Sequence, residues 1–199
     1  MLVIDRLYEE LKSSNFLVDI DSRKIRKGSI FFGIKGNNFN GNEFIGDALK
    51  NGSRLAISDE ENPNLNHNHN VIKVSNSLST LQELSKFHRK KCNAKVIAIT
   101  GSNGKTTTKE LIYSVLSSNF KTICTTGNFN NHIGLPLSLF EIRHDTEFAV
   151  IEMGANNFGE IAFLTSLCEP DYGYITNFGK AHLELSLIHI SEPTRRNSI

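Results

Sequence analysis

The stretch Val96-Ile-Ala-Ile-Thr-Gly-Ser-Asn-Gly-Lys-Thr-Thr-Thr-Lys-Glu110 decides the fold. Val96 to Ile99 is a short apolar, β-branched run of the kind that forms a buried strand. Thr100-Gly101 ends it, and a helical pattern begins near Lys105. Between them, Gly101 and Gly104 let the backbone turn sharply and aim its N–H groups inward. The result is a concave nest at a helix N-terminus, where the helix dipole adds positive potential, and such a nest suits a phosphate. Lys105 can reach β and γ phosphates as a point charge, and the Thr106 hydroxyl can ligate Mg²⁺. The longer phosphate-loop pattern would need glycine at position 99, where this chain has Ile99. What is present is the shorter Gly-x-x-Gly-Lys-Thr. Taken alone it could be a turn and a helix cap; a strand before it and a helix after it favour a nucleotide phosphate.

Working outward, helical spacing of Leu2, Ile4, Leu7, Tyr8 and Leu11 predicts an amphipathic helix over 2–12. Ile30 to Ile34 reads as a buried strand, Asn37 to Asn42 as a loop, and 43–51 as a helix stopped by Gly52. Strands are predicted at Leu55–Ile57 and Val71–Val74, with a polar, Asn-rich loop from Glu60 to Asn70 between them. His67 and His69 lie in that loop without other nearby ligands, so a solvated loop is expected there, not a metal site. A helix is expected over 78–90, with Leu78, Leu81, Leu84 and Phe87 inward and Ser79-x-x-Gln82 as a capping box. The charged run Arg89-Lys-Lys91 predicts a domain boundary near residue 90. A helix (111–118) and strands at 121–125, 148–153 and 172–176 follow, an alternation that means α/β architecture with a parallel sheet.

Phe148-Ala-Val-Ile-Glu-Met153 delivers an acid, Glu152, near the C-terminal end of its strand. In an open α/β sheet ligands bind at that edge, so Glu152 can hold Mg²⁺ there, and Gly154 after it permits close approach. The alternative is a strand-end acid facing water. Tyr172 to Thr176 is a further strand, and the loop after it carries His182 to the same edge. Thr126-Gly-Asn-Phe-Asn-Asn-His-Ile-Gly134 is dense in amides and glycines: a turn cluster, or amides that orient a substrate or phosphates.

The totals set limits. With 199 residues the chain fits one large domain or two small ones, and 39% hydrophobic residues suffice for a core. A net charge of +1, from 22 basic and 21 acidic side chains, gives no reason to expect a nucleic-acid stripe or a membrane-attracted face. Cys92, Cys124 and Cys168 lack metal spacing, which fits buried thiols in a reducing compartment. No leader or membrane span is read, so a cytoplasmic protein is expected, and a monomer.

These blocks, in this order, resemble the Mur ligase family, cytosolic ATP-dependent enzymes that build the peptidoglycan peptide. Gly-Ser-Asn-Gly-Lys-Thr-Thr at 101–107 is similar to the phosphate loop of the superfamily, folylpolyglutamate synthase included. Gly127 to Gly134, Glu152-Met-Gly-Ala155 with Gly159-Glu-Ile161, Pro170 to Asn177, and Gly179 to Glu184 resemble the member that adds D-alanyl-D-alanine. Asp21-Ser-Arg23, Gly28, Phe31-Phe32, Lys35-Gly36 and Gly41 through Phe44 look like that family's UDP-sugar-binding domain. Ile20, Asn40 and Asn157 depart from the usual residues, without removing a phosphate or metal group.

The resemblance implies a small N-terminal α/β substrate domain (1–90) followed by part of a phosphate-loop, mostly parallel-sheet ATPase domain (91–184). ATP and Mg²⁺ would be the cofactors, and UDP-MurNAc-tripeptide and D-alanyl-D-alanine the substrates, joined through an acyl phosphate. Lys105, Glu152 and His182 would be catalytic. Gly101, Ser102, Asn103, Gly104, Lys105, Thr106, Thr107, Asn128 and Asn131 would hold the nucleotide. Ser22, Arg23, Lys35 and Asn130 would contact substrate, and Thr106, Glu152 and His182 would ligate metal. After Glu184 the family pattern stops: residues 185–199 resemble read-through of a sequencing adapter and are expected to be non-native, so His189, Arg195 and Arg196 belong to no site. A nucleotide-binding but non-catalytic fragment and another ligase of the superfamily stay open as alternatives. A GTPase-type switch would need an Asn-Lys-x-Asp block, which the chain lacks.

Overall fold

The computed structural model describes residues 3–61 and 69–177. They fall into two compact units. One runs up to Lys91 and includes Leu139–Glu141; the other comprises Cys92–Ser138 and the chain from Ile142 onward.

The first unit contains α1 (Val3–Ser13), β1 (Val18–Asp19), β2 (Ile30–Phe32), α2 (Ile45–Lys50), β3 (Leu55–Ser58), β4 (Val71–Lys73) and α3 (Ser77–Lys91). Its sheet has the order β1-β2-β3-β4, and every pair is parallel. Both central strands are buried throughout, which explains why Ile-Phe-Phe and Leu-Ala-Ile-Ser do not alternate with polar residues. Phe31 and Ala56 pack with Ile45 and Ala48 of α2, while α1 buries Leu7 and Leu11, one helical turn apart.

Local details differ from the sequence reading. The helix expected over 43–51 begins as a 3-10 turn, Gly41–Phe44, with the Asn40 side chain accepting from the Asn42 N–H. The cap of α3 is Asn76, whose Oδ1 accepts from the Ser79 N–H at 2.7 Å, so Ser79-x-x-Gln82 is not its capping box. Starting the helix earlier also rotates its inner face. Leu81 and Leu84 are buried as expected, but Ser77, Thr80, Ser85 and His88 join them, and Leu78 and Phe87 are only half-buried.

The second unit contains β5 (Lys95–Thr100), α4 (Lys105–Ser117), β6 (Thr122–Cys124), α5 (Gly134–Phe140) as far as Ser138, β7 (Phe148–Glu152), α6 (Glu160–Cys168) and β8 (Tyr172–Ile175). The sheet order is β6-β7-β5-β8, again all parallel. With β5 in register against β7 at Ile99↔Glu152 and against β8 at Thr100↔Ile175, all three strands end at one edge. The glycine loop therefore leaves β5 with the end of β7 on one side and the end of β8 on the other. Among the described residues no helix is long and apolar enough to cross a membrane. Of the three cysteines expected as buried thiols, Cys168 is buried and Cys92 and Cys124 are half-buried; burial pushes the Cys124 thiol up.

Lys109 is a cation inside this unit, 2% exposed, one turn along α4 from Thr106. Its Nζ donates to the Thr125 carbonyl at 2.7 Å and lies 2.9 Å from a Glu110 carboxylate oxygen. Lys109→Met keeps most of the stem but leaves the fully buried Thr125 carbonyl without that donor. Relief of the buried charge offsets part of the loss. We expect a net destabilisation of about 1–3 kcal/mol, read as a lower thermal or urea midpoint; an unchanged or raised midpoint would contradict it.

Candidate functional site

Gly101 and Gly104 sit at φ +135° and +77°, the left-handed side that L side chains rarely adopt. Their reasons differ. A Cβ on Gly101 would lie 2.1 Å from Thr176 Oγ1, a close approach that only glycine permits. Gly104 has open space around it, so its conformation alone requires glycine, at the N-cap just before α4. The first helical hydrogen bond runs from the Thr108 N–H to the Gly104 carbonyl at 2.9 Å. That leaves the N–H groups of Lys105, Thr106 and Thr107 in the first turn, where no intrahelical carbonyl is available to them. Lys105 folds over the loop, its Nζ donating to the Gly101 carbonyl at 2.7 Å.

Glu152 meets this loop from β7. Its side chain is 3% exposed, yet both carboxylate oxygens are engaged by neutral groups. The Thr106 hydroxyl donates to Oε2 at 3.0 Å and Asn130 Nδ2 donates to Oε1 at 2.9 Å. The Glu152 N–H donates to Thr125 Oγ1 at 3.0 Å, which fixes the backbone behind the acid. Glu152 is therefore not a strand end facing water. Gly154 allows the approach of Asn130: a Cβ there would lie 3.1 Å from the Asn130 amide, and the Gly154 N–H donates to the Asn130 carbonyl.

The amide-rich segment separates into distinct tasks. Asn131 Oδ1 accepts from the N–H groups of Ile133 and Gly134 at 3.0 and 2.8 Å, holding the start of α5. The Asn128 carbonyl accepts from the Asn130 N–H at 2.8 Å within the turn. Asn130 itself braces the acid. Ser102, Asn103 and Thr107 complete the loop and first turn, with Ser102 and Asn103 bonded to Asn177 through their N–H groups.

Ser22, Arg23 and Lys35 belong to the first unit. Ser22 is buried, and its carbonyl accepts from Asn51 Nδ2 at 2.9 Å. Arg23 is held bidentate by Asp21, Nε and Nη2 donating at 2.8 and 2.9 Å. That bonding to the guanidinium holds the Asp21 carboxyl down at about 2, so the pair stays ionised across the physiological range. Lys35 Nζ pairs with Glu60 at 2.8 Å. His182 and residues 185–199 lie outside the described residues. Among the described residues, no three His, Cys, Asp or Glu side chains gather as a metal site.

Thr125, Lys109, Thr176 and Asn177 take part in this network although sequence assigns none of them to a site. Thr176 and Asn177 carry a hint, as the end of the block Pro170 to Asn177 that resembles the family; Thr125 and Lys109 carry none.

Comparisons with known proteins identify the family. Residues 17–89 match the model described as "Mur ligase family, catalytic domain" and residues 99–189 the one described as "Mur ligase middle domain". The UDP-N-acetylmuramoyl-tripeptide–D-alanyl-D-alanine ligase of Bacillus subtilis (strain 168) is 42% identical over 167 residues, covering 84% of this chain and 36% of that ligase. Crystal structure I of MurF from Acinetobacter baumannii superposes with a TM-score of 0.79 at 32% identity, covering 89% of this chain and 42% of that one. MurF ligase from Thermotoga maritima in complex with ADP gives 0.69 at 34% identity, covering 78% and 36%. The chain thus spans about two fifths of the length of the relatives it matches. Two models of one family, matched in order on either side of residue 90, and a phosphate loop facing a strand-end acid lead to one conclusion: the chain belongs to the Mur ligase family.

Proposed function

We propose that this chain carries the substrate domain and the nucleotide-binding part of an ATP-dependent amide ligase that adds D-alanyl-D-alanine to UDP-MurNAc-tripeptide. The observation that carries the reading is the Thr106–Glu152 contact at the mouth of the phosphate loop. It sets a hydroxyl and a carboxylate 3.0 Å apart, where the first-turn N–H groups of α4 are available to an anion. Such an arrangement serves phosphoryl transfer, in which positioning and charge stabilisation are the protein's main contributions.

In this reading the N–H groups of Lys105, Thr106 and Thr107 receive phosphate oxygens, and Lys105 leaves the Gly101 carbonyl to meet β/γ charge. Gly101 to Gly104 shape the loop, with Ser102 and Asn103 in its wall. Thr106 and Glu152 would hold Mg²⁺. Hard oxygen donors suit that cation, and a buried carboxylate with neutral partners is the ligand it favours. When bound, the ion would neutralise phosphate charge. Asn130 keeps the acid oriented, and Asn128 and Asn131 fix the turn that carries it. The terminal carboxylate of the tripeptide attacks the γ phosphorus, releasing ADP. The amine of D-alanyl-D-alanine then attacks the acyl phosphate, and phosphate leaves as the amide forms. Residues 1 to about 90 would hold the UDP-sugar peptide, with Ser22, Arg23 and Lys35 among the groups offered to it; a guanidinium already oriented by a carboxylate suits a diphosphate.

The test has two arms. Titration of the 199-residue chain with MgATP and, separately, with UDP-MurNAc-tripeptide should give saturable binding of each. In a full-length ligase carrying these residues, ATP-dependent amide formation should require both the tripeptide substrate and D-alanyl-D-alanine. No nucleotide binding by the chain would refute the phosphate-loop assignment, and full-length activity with a different amine would refute the acceptor.

A further inference from the structure

The loop between β5 and α4 does not hold its shape alone; the residues just past β8 hold it. Asn177 Oδ1 accepts two consecutive backbone N–H groups, from Ser102 at 3.1 Å and Asn103 at 3.0 Å. The Asn177 carbonyl takes the Ser102 N–H as well, at 3.3 Å. From the residue before, Thr176 Oγ1 lies 2.6 Å from the Asn103 carbonyl and 3.3 Å from the Thr100 carbonyl, donating to the loop at both ends. The Thr176 N–H continues the ladder to the Thr100 carbonyl at 2.9 Å. A Cβ on Gly101 would meet Thr176 Oγ1, so the same contact explains the first glycine of the motif.

From this geometry, and resting on the nucleotide reading above, we infer that Asn177 is a positioning residue for ATP. Its amide oxygen fixes the N-terminal half of the phosphate loop so that the first turn of α4 meets the nucleotide preformed. An amide oxygen has two lone pairs and suits two N–H groups at once. It is also neutral. An aspartate would hold the same N–H groups more tightly but would set a negative charge beside the phosphates. Asparagine thus meets both demands of the position, an acceptor and no charge.

These bonds lie at the exposed edge of the unit, so their loss should affect the loop more than the fold. If Asn177→Ala leaves the loop in its binding conformation about a tenth of the time, apparent affinity falls about tenfold, because binding then includes reordering the loop. The experiment compares the 199-residue chain with Asn177→Ala and Asn177→Asp. It measures MgATP affinity, UDP-MurNAc-tripeptide affinity, and hydrogen exchange of the Ser102 and Asn103 amides. We expect Asn177→Ala to bind MgATP about tenfold more weakly, with tripeptide affinity unchanged and both amides exchanging faster, Asn103 more than Ser102, which keeps the Asn177 carbonyl as an acceptor. Asn177→Asp should keep both amides slow, because it keeps the acceptor. The inference is overturned if Asn177→Ala binds MgATP within twofold of the parent, if both ligands weaken together, or if Asn177→Asp loses amide protection as Asn177→Ala does. A parent chain that binds no MgATP would instead remove the nucleotide reading, and this inference with it.

Discussion

Lys105→Ala in a full-length ligase carrying these residues is expected to lower ATP-dependent amide formation by about a thousandfold, the effect of removing one preorganised charge from a transferring phosphoryl group. The loop N–H groups alone cannot replace it. They are partial charges, whereas the ammonium carries a full one. The fold should be indifferent to the change. Lys105 is the first residue of α4, where alanine is at least as good a helix former, and its ammonium bonds to the loop carbonyl of Gly101. MgATP affinity, single-turnover rates and a melting curve separate the cases. An intact melt with lost turnover supports the assignment, and parent-like turnover would refute it.

How much of this site could be read from the chain depends on how local each part is. Strand, glycine loop and helix from Val96 to Glu110 are encoded within one window, and they form where periodicity places them. Glu152 was legible for the same reason: an apolar strand ending in an acid needs no distant information. α5 and α6 are not legible in the sequence because their local signals conflict. Gly134-Leu-Pro-Leu opens with a glycine and a proline, yet Pro136 falls in the first turn, where its missing N–H costs nothing. Glu160 to Cys168 lacks a wide polar face, so its period was faint. The capping of α3 was misassigned because Asn76 and Ser79 are both good caps, and only the backbone chooses between them.

The sequence pattern places Glu152 and Thr106 at one sheet edge around a shared Mg²⁺, but the hydrogen bonds among these side chains carry no local signal. Asn177 lies more than seventy residues from Ser102, and Glu152 lies 46 from Thr106. Only the strand order β6-β7-β5-β8 brings both to the same loop, one from each side. That order also explains why the amides after β6 matter: β6 pairs with β7, so the segment leaving it passes beside the end of β7 and can set Asn130 on Glu152.

Glu152→Gln gives the sharpest test of the acid, because it separates charge from shape. A glutamine can orient its amide so that Oε1 still accepts from Asn130 while Nε2 donates to the Thr106 hydroxyl, which can accept as readily as donate. Every bond of Glu152 then has a counterpart, including the backbone N–H to Thr125. Stability should stay within about 0.5 kcal/mol of the parent, as for substitutions that break no buried contact. The chemistry changes for two reasons. The neutral amide is a poorer ligand for a hard cation, and its Nε2 now points a donor at the Thr106 oxygen that would share the ion. Each effect weakens the same site, so the Mg²⁺ concentration needed for half-maximal activity should rise about a hundredfold, the upper range for residues that only support a metal ligand. The measurement is a Mg²⁺ titration of ligation at fixed ATP, beside a melting curve and an ATP titration without metal. A right-shifted Mg²⁺ curve with an unchanged melt identifies Glu152 as a ligand. A lowered melt with an unshifted curve would make it a structural anchor for Thr106 and Asn130 instead.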